Sequence, residues 1–302
     1  MIKIGVVIPV FNRPRLVLAA LGSVLAQTRA ADEVVVVDDG STDATVETIA
    51  RLIAAHPDRR LTLLRQPRSG VAAARNLGLA RLSGAVDAIA FLDSDDAWPE
   101  DFLARTAAVL AHDLTAIAVS TDRALHSVDD AASDITSCAE LAASPWRFFI
   151  LKGGGVASCT LFRRSALRPG EGFPERFPTG QDTVLFARLA QRGAWRHAAG
   201  APVTFARDFA RTHAGDEGHL HKRRSDYFWH WARASEICVA LAPRTLRSEP
   251  AIAAKMRERW ALARGQALTH HRYGSALLCL LRELRHARRL RAARRPTLER
   301  TA

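Results

Sequence analysis

Residues 33–43 read EVVVVDDGSTD, four valines in a row that stop abruptly at two aspartates and a Gly-Ser-Thr turn. A β-branched run that is apolar on both faces lacks the alternation of a strand with one wet side, and reads as a strand covered above and below, as in a parallel sheet. Its ending in Asp38, Asp39, Gly40 and Ser41 suits a tight turn into a helix. Working outward, IGVVIPV (4–10) repeats the same pattern, and LTLLR (61–65), AIAFLD (88–93) and TAIAVS (115–120) follow at intervals filled by helical periodicity. The first helix is expected to open near Pro14, with Val17, Leu21, Val24 and Leu25 on one face. A second is expected from about Thr42, with Asp43 and Glu47 near its positive end. A third covers GVAAARNLGLARL (70–82). A fourth starts in PEDFLARTAAVL (99–110), with Pro99 in its first turn and Glu100 and Asp101 just behind. This β-α-β-α order predicts a doubly wound α/β domain with a mainly parallel sheet.

Ligands of such sheets bind beyond the carboxyl ends of the strands, which directs attention to Pro9 to Arg13, Asp38 to Asp43, and Asp93 to Asp96. Neither G-x-G-x-x-G nor G-x-x-x-x-G-K-[ST] follows any of these strands, so ordinary dinucleotide and P-loop chemistry is disfavoured. Two readings of the DDGS stretch stand side by side: a ligand-binding edge, or good turn and cap residues. For FLDSDD the balance differs. Asp93 and Asp95, one residue apart on a turn, can converge on a divalent cation, and hard Mg²⁺ or Mn²⁺ prefers carboxylate, phosphate and water oxygens. The alternative is that these acids, with Asp96, are simply solvated.

The chain has 302 residues, 48% of them apolar and 25% charged, an ordinary globular composition able to bury a core. No run approaches a membrane span, and MIKIGVVIPVF does not look like a signal peptide, so the expectation is a cytoplasmic protein. Cys138, Cys159, Cys238 and Cys279 are widely spaced without C-x-x-C, which argues for buried thiols rather than a zinc site or disulfide framework. Charge is unevenly placed. Residues 1–150 hold 14 Lys and Arg against 19 Asp and Glu, net −5, whereas residues 151–302 hold 29 against 12, net +17. Loop signals crowd 121–180, a short amphipathic helix is expected at DTVLFARLAQR (182–192), and from about 222 the pattern is helical to an Arg-rich end, LRELRHARRLRAARRPTLER (281–300).

Five blocks taken together, VVIPVFNRPRLVLAALGSVLAQT, EVVVVDDGSTD, SGVAAARNLGLA, FLDSDDAWPEDFL and GQDTVLFARLAQRG, resemble the family-two glycosyltransferases of the GT-A fold over roughly residues 3–213. The resemblance implies a GT-A domain over 1–220, with a nucleotide-sugar part at 1–120 and an acceptor part at 121–220, followed by a basic helical region at 221–302. It implies a metal-dependent, inverting transfer of a sugar from a nucleoside diphosphate, UDP in the first instance, to a hydroxyl of a glycan or lipid-linked acceptor. The turn of Pro9, Phe11, Asn12 and Arg13 would line the nucleotide pocket. Asp39 would bind the base, a role that suits an acceptor-only carboxylate facing an imide N–H. Asp93 and Ser94 would contact the nucleotide sugar, Asp95 would bind Mn²⁺ or Mg²⁺, and Arg75 would stand near the diphosphate. Taken without the family, Arg75 reads as a surface charge and Asp182 as a helix cap. With it, Asp182 becomes the catalytic base and His213 a second metal contact, with His219 and His221 as competitors in the same segment. One departure stands out: Gln181 occupies the place of the usual Glu before the base, which removes a like charge from beside Asp182.

Two other functions remain to be separated. A catalytically inactive nucleotide or glycan binder would begin to look this way, with Gln181 as its first sign. A sugar nucleotidyltransferase would also use an α/β domain and a metal, but IPVFNRPR lacks the Gly-rich basic loop expected of one. The basic C-terminal helices suggest peripheral association with an anionic membrane surface through residues of about 244–295. Nucleic acid is not expected as a partner, because the basic run has no interleaved aromatics.

Overall fold

The computed structural model describes residues 1–126, 134–153, 156–206 and 226–293. Its first half alternates as expected: β1 (Ile4–Val10), α1 (Leu16–Leu25), β2 (Glu33–Asp38), α2 (Thr45–Ala55), β3 (Leu61–Arg65), α3 (Val71–Arg81), β4 (Ala88–Phe91), a short β5 (Asp96–Ala97), α4 (Phe102–His112) and β6 (Ala116–Ser120). There follow β7 (Arg123–His126), β8 (Asp134–Thr136), α5 (Ala139–Ala143), α6 (Pro145–Leu151), β9 (Thr160–Arg163), α7 (Gln181–Leu189), β10 (Ala194–His197) and β11 (Val203–Ala206). The chain then turns wholly helical, with α8 (Tyr227–Leu241), α9 (Arg244–Arg247), α10 (Pro250–Thr269) and α11 (Tyr273–Ala293).

The main sheet has seven strands in the order β10-β6-β9-β4-β1-β2-β3. All neighbours are parallel except β9, which runs antiparallel between β4 and β6. The valine run of β2 pairs with β1 from Gly5–Glu33 to Val10–Asp38 and is buried from Val34 onward, as its two-sided apolar character requires. A second sheet, β5-β11-β7-β8, stands beyond the main one. Helix α3 comes very close to β1 and β2. A methyl group at Gly78 would sit 2.3 Å from Val7 Cγ1 and 3.2 Å from Val37 Cγ2, so only glycine fits there.

Two helices start later than the periodicity suggests, for identifiable reasons. Helix α2 begins at Thr45 rather than near Thr42. The Thr42 amide donates to Asn12 Oδ1 at 2.9 Å, while Asp43 Oδ1 accepts from the Thr45 amide at 3.0 Å, so side chains hold 42–44 outside the helix. Helix α4 begins at Phe102 rather than at Pro99. The Pro99 carbonyl accepts from Gln27 Nε2 at 2.7 Å and the Glu100 carbonyl from the Thr28 amide at 2.9 Å, which ties this stretch to the end of α1. Asp101 stands at the cap of α4 and pairs with Arg105 at 3.6 Å.

The C-terminal helices share the main core. Ala232 and Cys238 of α8 and Ile252, Met256 and Trp260 of α10 are buried in one cluster with the strands of the main sheet. All four cysteines are free and buried, in line with their spacing.

Candidate active site

Three strand ends of the main sheet build the site, and two of them, those of β2 and β4, supply its acidic groups. At the end of β1 the chain turns sharply, with Asn12 in the left-handed region at φ 49°. The turn is pinned to the edge of β2: the Asn12 amide donates to Ser41 Oγ at 2.9 Å and the Arg13 amide to Thr45 Oγ1 at 2.9 Å. Pro9 is buried within β1, and Phe11 carries the Arg68 guanidinium over its ring at 3.5 Å from the centroid.

The two aspartates after β2 have separate tasks. Asp38 is structural: its carboxylate accepts from the Ser41 amide and from Arg65 Nε at 3.2 Å, closing the turn. Asp39 gathers a different set. It accepts from Gln66 Nε2 at 2.7 Å, from the amides of Ser69 at 2.8 Å and Gly70 at 2.9 Å, and from Arg68. These four donors fill the acceptor capacity of a carboxylate. A base binding to Asp39 must therefore displace one of them, and Arg68, half-exposed and lying over Phe11, is the one free to move.

The turn after β4 is the densest part of the site. Asp95 pairs with Arg13 at 2.7 Å, and Asp93 pairs with Arg75. Ser94 is buried, 3.5 Å from Arg13 Nη1. Asp96 turns the other way, where it accepts from Ser158 Oγ at 2.5 Å. Burial, and then the charges of Asp95 and Asp93, push its carboxyl well above the ordinary carboxylate range. The acidic cluster thus divides, with Asp93 and Asp95 toward the open side and Asp96 inward. Ser158 binds both halves, since its hydroxyl also accepts from the Asp93 amide at 3.1 Å, and its carbonyl accepts from Trp98 Nε1 at 2.6 Å.

Arg75 lies at the centre. It is buried on α3, stacked 5.0 Å over Phe173, and its Nη2 holds Asp93. Burial opposes its charge, but Asp93 first, then Asp182 and Asp96, outweigh that and keep its pKa above the ordinary value. Its Nε and Nη1 are buried without a hydrogen-bond partner.

Asp182 lies near enough to this region for its charge to act on Arg75. It sits in the first turn of α7, mostly buried, with Oδ1 accepting from the Thr183 amide at 2.7 Å. The turn ahead of it requires glycine: Gly180 has φ +75°, and a Cβ there would meet Ala234 of α8 at 2.7 Å. Tyr227 is pushed upward chiefly by burial, and the charge of Asp182 adds to it. Gln181 is buried with its Oε1 unpartnered. His213, His219 and His221 lie outside the described residues.

Asp93, Asp95, Arg13 and Arg75 therefore come together at one strand end, with Asp182 near enough for its charge to act on Arg75. The sequence reading passed over Gln66, Arg68 and Phe173, and gave Ser158 no part in the acidic turn. The first two stand directly beyond β3, so the rule that singled out the ends of β1, β2 and β4 would have found them. Ser158 and Phe173 carry no such signal, because only the fold brings them under the turn.

The sequence model of glycosyl transferase family 2 matches residues 5–169. The chain belongs to glycosyl transferase family 2. Among relatives of this family, it is 42% identical over 104 residues to the succinoglycan biosynthesis protein ExoW of Rhizobium meliloti, covering 34% of this chain and 32% of that protein. It is 30% identical over 200 residues to an uncharacterised glycosyltransferase of Rickettsia conorii, covering 64% of this chain and 31% of the relative. The chain thus spans about a third of the length of these curated relatives. In three dimensions it is similar to S. aureus TarS 1–349 in complex with UDP-GlcNAc, with a TM-score of 0.71 at 16% identity over 97% of this chain and 84% of that one. It is also similar to the mannosyltransferase PcManGT of Pyrobaculum calidifontis in complex with GDP-Man and Mn²⁺, with a TM-score of 0.56 at 23% identity over 96% of this chain and 85% of that one. The GT-A architecture, a mainly parallel sheet with a helical C-terminal part, is shared with these structures.

Proposed function

We propose that this family-2 member moves a sugar from a nucleoside diphosphate to an acceptor hydroxyl with inversion at the anomeric carbon. The observation that carries the proposal is Arg75: a buried guanidinium paired with Asp93 and within reach of the charge of Asp182, with two nitrogens unpartnered among the described residues. A buried polar group left unpaired costs about 1–3 kcal/mol, more when charged, and a diphosphate oxygen supplies the missing acceptor. Solved neighbours complexed with UDP-GlcNAc and with GDP-Man support a nucleotide-sugar donor. A carboxylate at Asp39 suits the imide N–H of uracil or the N–H edge of guanine, and we take UDP as the first donor to test.

Divalent metal is part of the proposal. Among the described residues, no group of three or more His, Cys, Asp or Glu is arranged to hold an ion. Asp93, 35% exposed, and Asp95, 17% exposed, nevertheless fit one: two carboxylates of a single turn that keep some surface for an ion with diphosphate and water oxygens. They would hold Mn²⁺ or Mg²⁺, and the neighbour bound to Mn²⁺ supports that reading. When bound, such an ion neutralises charge on the departing diphosphate. His213 is retained as a proposed further contact from outside the described residues.

The chain's own groups divide the remaining work. Arg75 and Arg13 present cations to the diphosphate, and each is already aligned by a carboxylate. Asp182 accepts the proton of the attacking hydroxyl, the one step that needs a base on the acceptor side. The backbone around Gly153, which approaches Trp231 of α8, shapes that side for a glycan or a lipid-linked saccharide.

Asp182→Asn tests the assignment: nucleotide binding should persist while sugar transfer falls by at least about a hundredfold, the scale of general base catalysis. Transfer within a few fold of wild type would refute it. The unpartnered Gln181 Oε1 sustains a second reading, a binder without turnover. Release of nucleoside diphosphate from UDP- or GDP-sugars with Mn²⁺ and a panel of saccharide acceptors separates the two.

A further inference from the structure

Helix α11 is the outermost layer of the C-terminal part, and its two sides differ sharply. Inward it buries Ala276, Cys279 and His286. Glu283 on the same side pairs with Arg264 at 3.1 Å and Arg257 at 3.8 Å, and Arg282 reaches Glu236 of α8 at 2.8 Å. At 100° per residue these positions leave Tyr273, Leu277, Leu281 and Leu284 facing away from the protein. They are exposed, Tyr273 at 66%, Leu277 at 59% and Leu281 at 56%, and Leu278 and Leu280 beside them are exposed too. Isolated exposed leucines need no explanation, but a contiguous stripe over three turns does.

Charge identifies what covers it. Beyond Leu284 the outward face continues as Arg285, Arg288 and Arg289, all exposed and without an ion pair among the described residues. The sequence then adds Arg291, Arg294 and Arg295. The single acid of α11, Glu283, is turned inward. The partner must therefore be apolar along one stretch and anionic along the next. A second copy of the helix meets only half of this requirement, because it offers leucine but no negative charge.

We propose that α11 docks the protein on an anionic lipid surface, with the Tyr273–Leu284 stripe entering the interface and Arg285, Arg288 and Arg289 meeting lipid phosphates. Among the described residues no helix is long and apolar enough to cross a membrane, so docking is lateral. The broader segment expected from sequence narrows accordingly. Helix α9 buries Leu246, and α10 buries Ile252, Met256 and Trp260; its exposed Leu262 and Leu268 lie about 120° apart around the helix and form no stripe. The packing order α7, α8, α10, α11 then sets the reach of the site. Three interaxial steps of about 8–10 Å keep Asp182 within about 30 Å of the surface. That consequence rests on the transferase reading; the docking itself does not.

Vesicle sedimentation tests it with the full chain and no substrate. Wild type should bind phosphatidylcholine vesicles containing phosphatidylglycerol, bind neutral vesicles weakly, and lose binding as salt is raised. Arg285→Gln/Arg288→Gln/Arg289→Gln should weaken partitioning on the order of a hundredfold, from about a fivefold loss per basic residue. Leu277→Gln/Leu281→Gln should weaken it as well, and both variants should keep the wild-type melting temperature and nucleotide affinity. Equal binding to neutral and anionic vesicles, or none to either, overturns the proposal. So does a dimer by light scattering that Leu277→Gln/Leu281→Gln dissociates, since the stripe is then an interface between copies. Failure of sugar transfer alone leaves vesicle binding untouched and counts only against the transferase reading.

Discussion

Arg75→Met removes a charge from the centre of the site while keeping an unbranched side chain over Phe173. Two effects follow, and their sizes differ. In the free protein the loss is the pair with Asp93, whose carboxylate is 35% exposed and can be rehydrated, so the fold should lose only about 1–3 kcal/mol. In the nucleotide complex the loss is larger. Nε and Nη1 have no acceptor among the described residues, and charge-assisted hydrogen bonds to a diphosphate are worth about 1.5–3 kcal/mol each. Two such bonds amount to about 3–6 kcal/mol, a weakening of at least about a hundredfold in Kd. Isothermal titration of UDP and GDP with Mn²⁺ measures it, and thermal unfolding of the free variant confirms that the fold persists. Arg75→Lys should fall between, because a point charge cannot reproduce the planar fork. A folded Arg75→Met protein that binds nucleotide within about threefold of wild type would refute the placement of the diphosphate.

Gly78→Ala should destabilise the chain by about 1–3 kcal/mol, because the added methyl collides with Val7 of β1; denaturant unfolding measures this, and an unchanged midpoint would mean the contact relaxes freely. Asp95→Asn should raise the Mn²⁺ concentration needed for half-maximal nucleotide binding by at least about tenfold, by loss of one of two carboxylate ligands, and full sugar transfer by chelator-treated wild type would contradict the metal assignment. The Asp113 carboxyl is held down to about 2, first by the Thr115 hydroxyl and amide and then by Arg196. Its folded value lies below its unfolded one, so its contribution is fully present above about pH 4 and fades as pH falls toward 2. Asp113→Asn should therefore melt below wild type at pH 6 and alongside it near pH 2; a deficit of equal size at both would rule out this linkage.

Much of the nucleotide half was legible because its signals are local. Four valines followed by two aspartates define a buried strand and the acidic turn at its end without reference to anything distant. The same holds for the apolar run ahead of Asp93. Element boundaries were less legible where side chains from elsewhere intervened. Asn12 and Asp43 delay α2, and Gln27 and Thr28 hold the residues ahead of α4, over separations of up to 72 residues that no local pattern reports.

The division within the acidic turn was the hardest part to read. Asp93, Asp95 and Asp96 are chemically alike in sequence, and their spacing alone cannot say which faces a ligand. Burial decides it. Ser158, 62 positions later, takes Asp96 inward, while Arg75 and Arg13 hold Asp93 and Asp95 at the open side. Sequence by itself determined the mainly parallel sheet, the strand ends where the candidate site lies and the acidic character of that site, because periodicity and residue chemistry act over a few residues. Tertiary structure alone decided that Arg75 is buried against Asp93 with donors unspent, and that α11 turns a contiguous stripe of leucines outward. Both depend on which faces are covered, and coverage is a property of the packed molecule, not of any single segment.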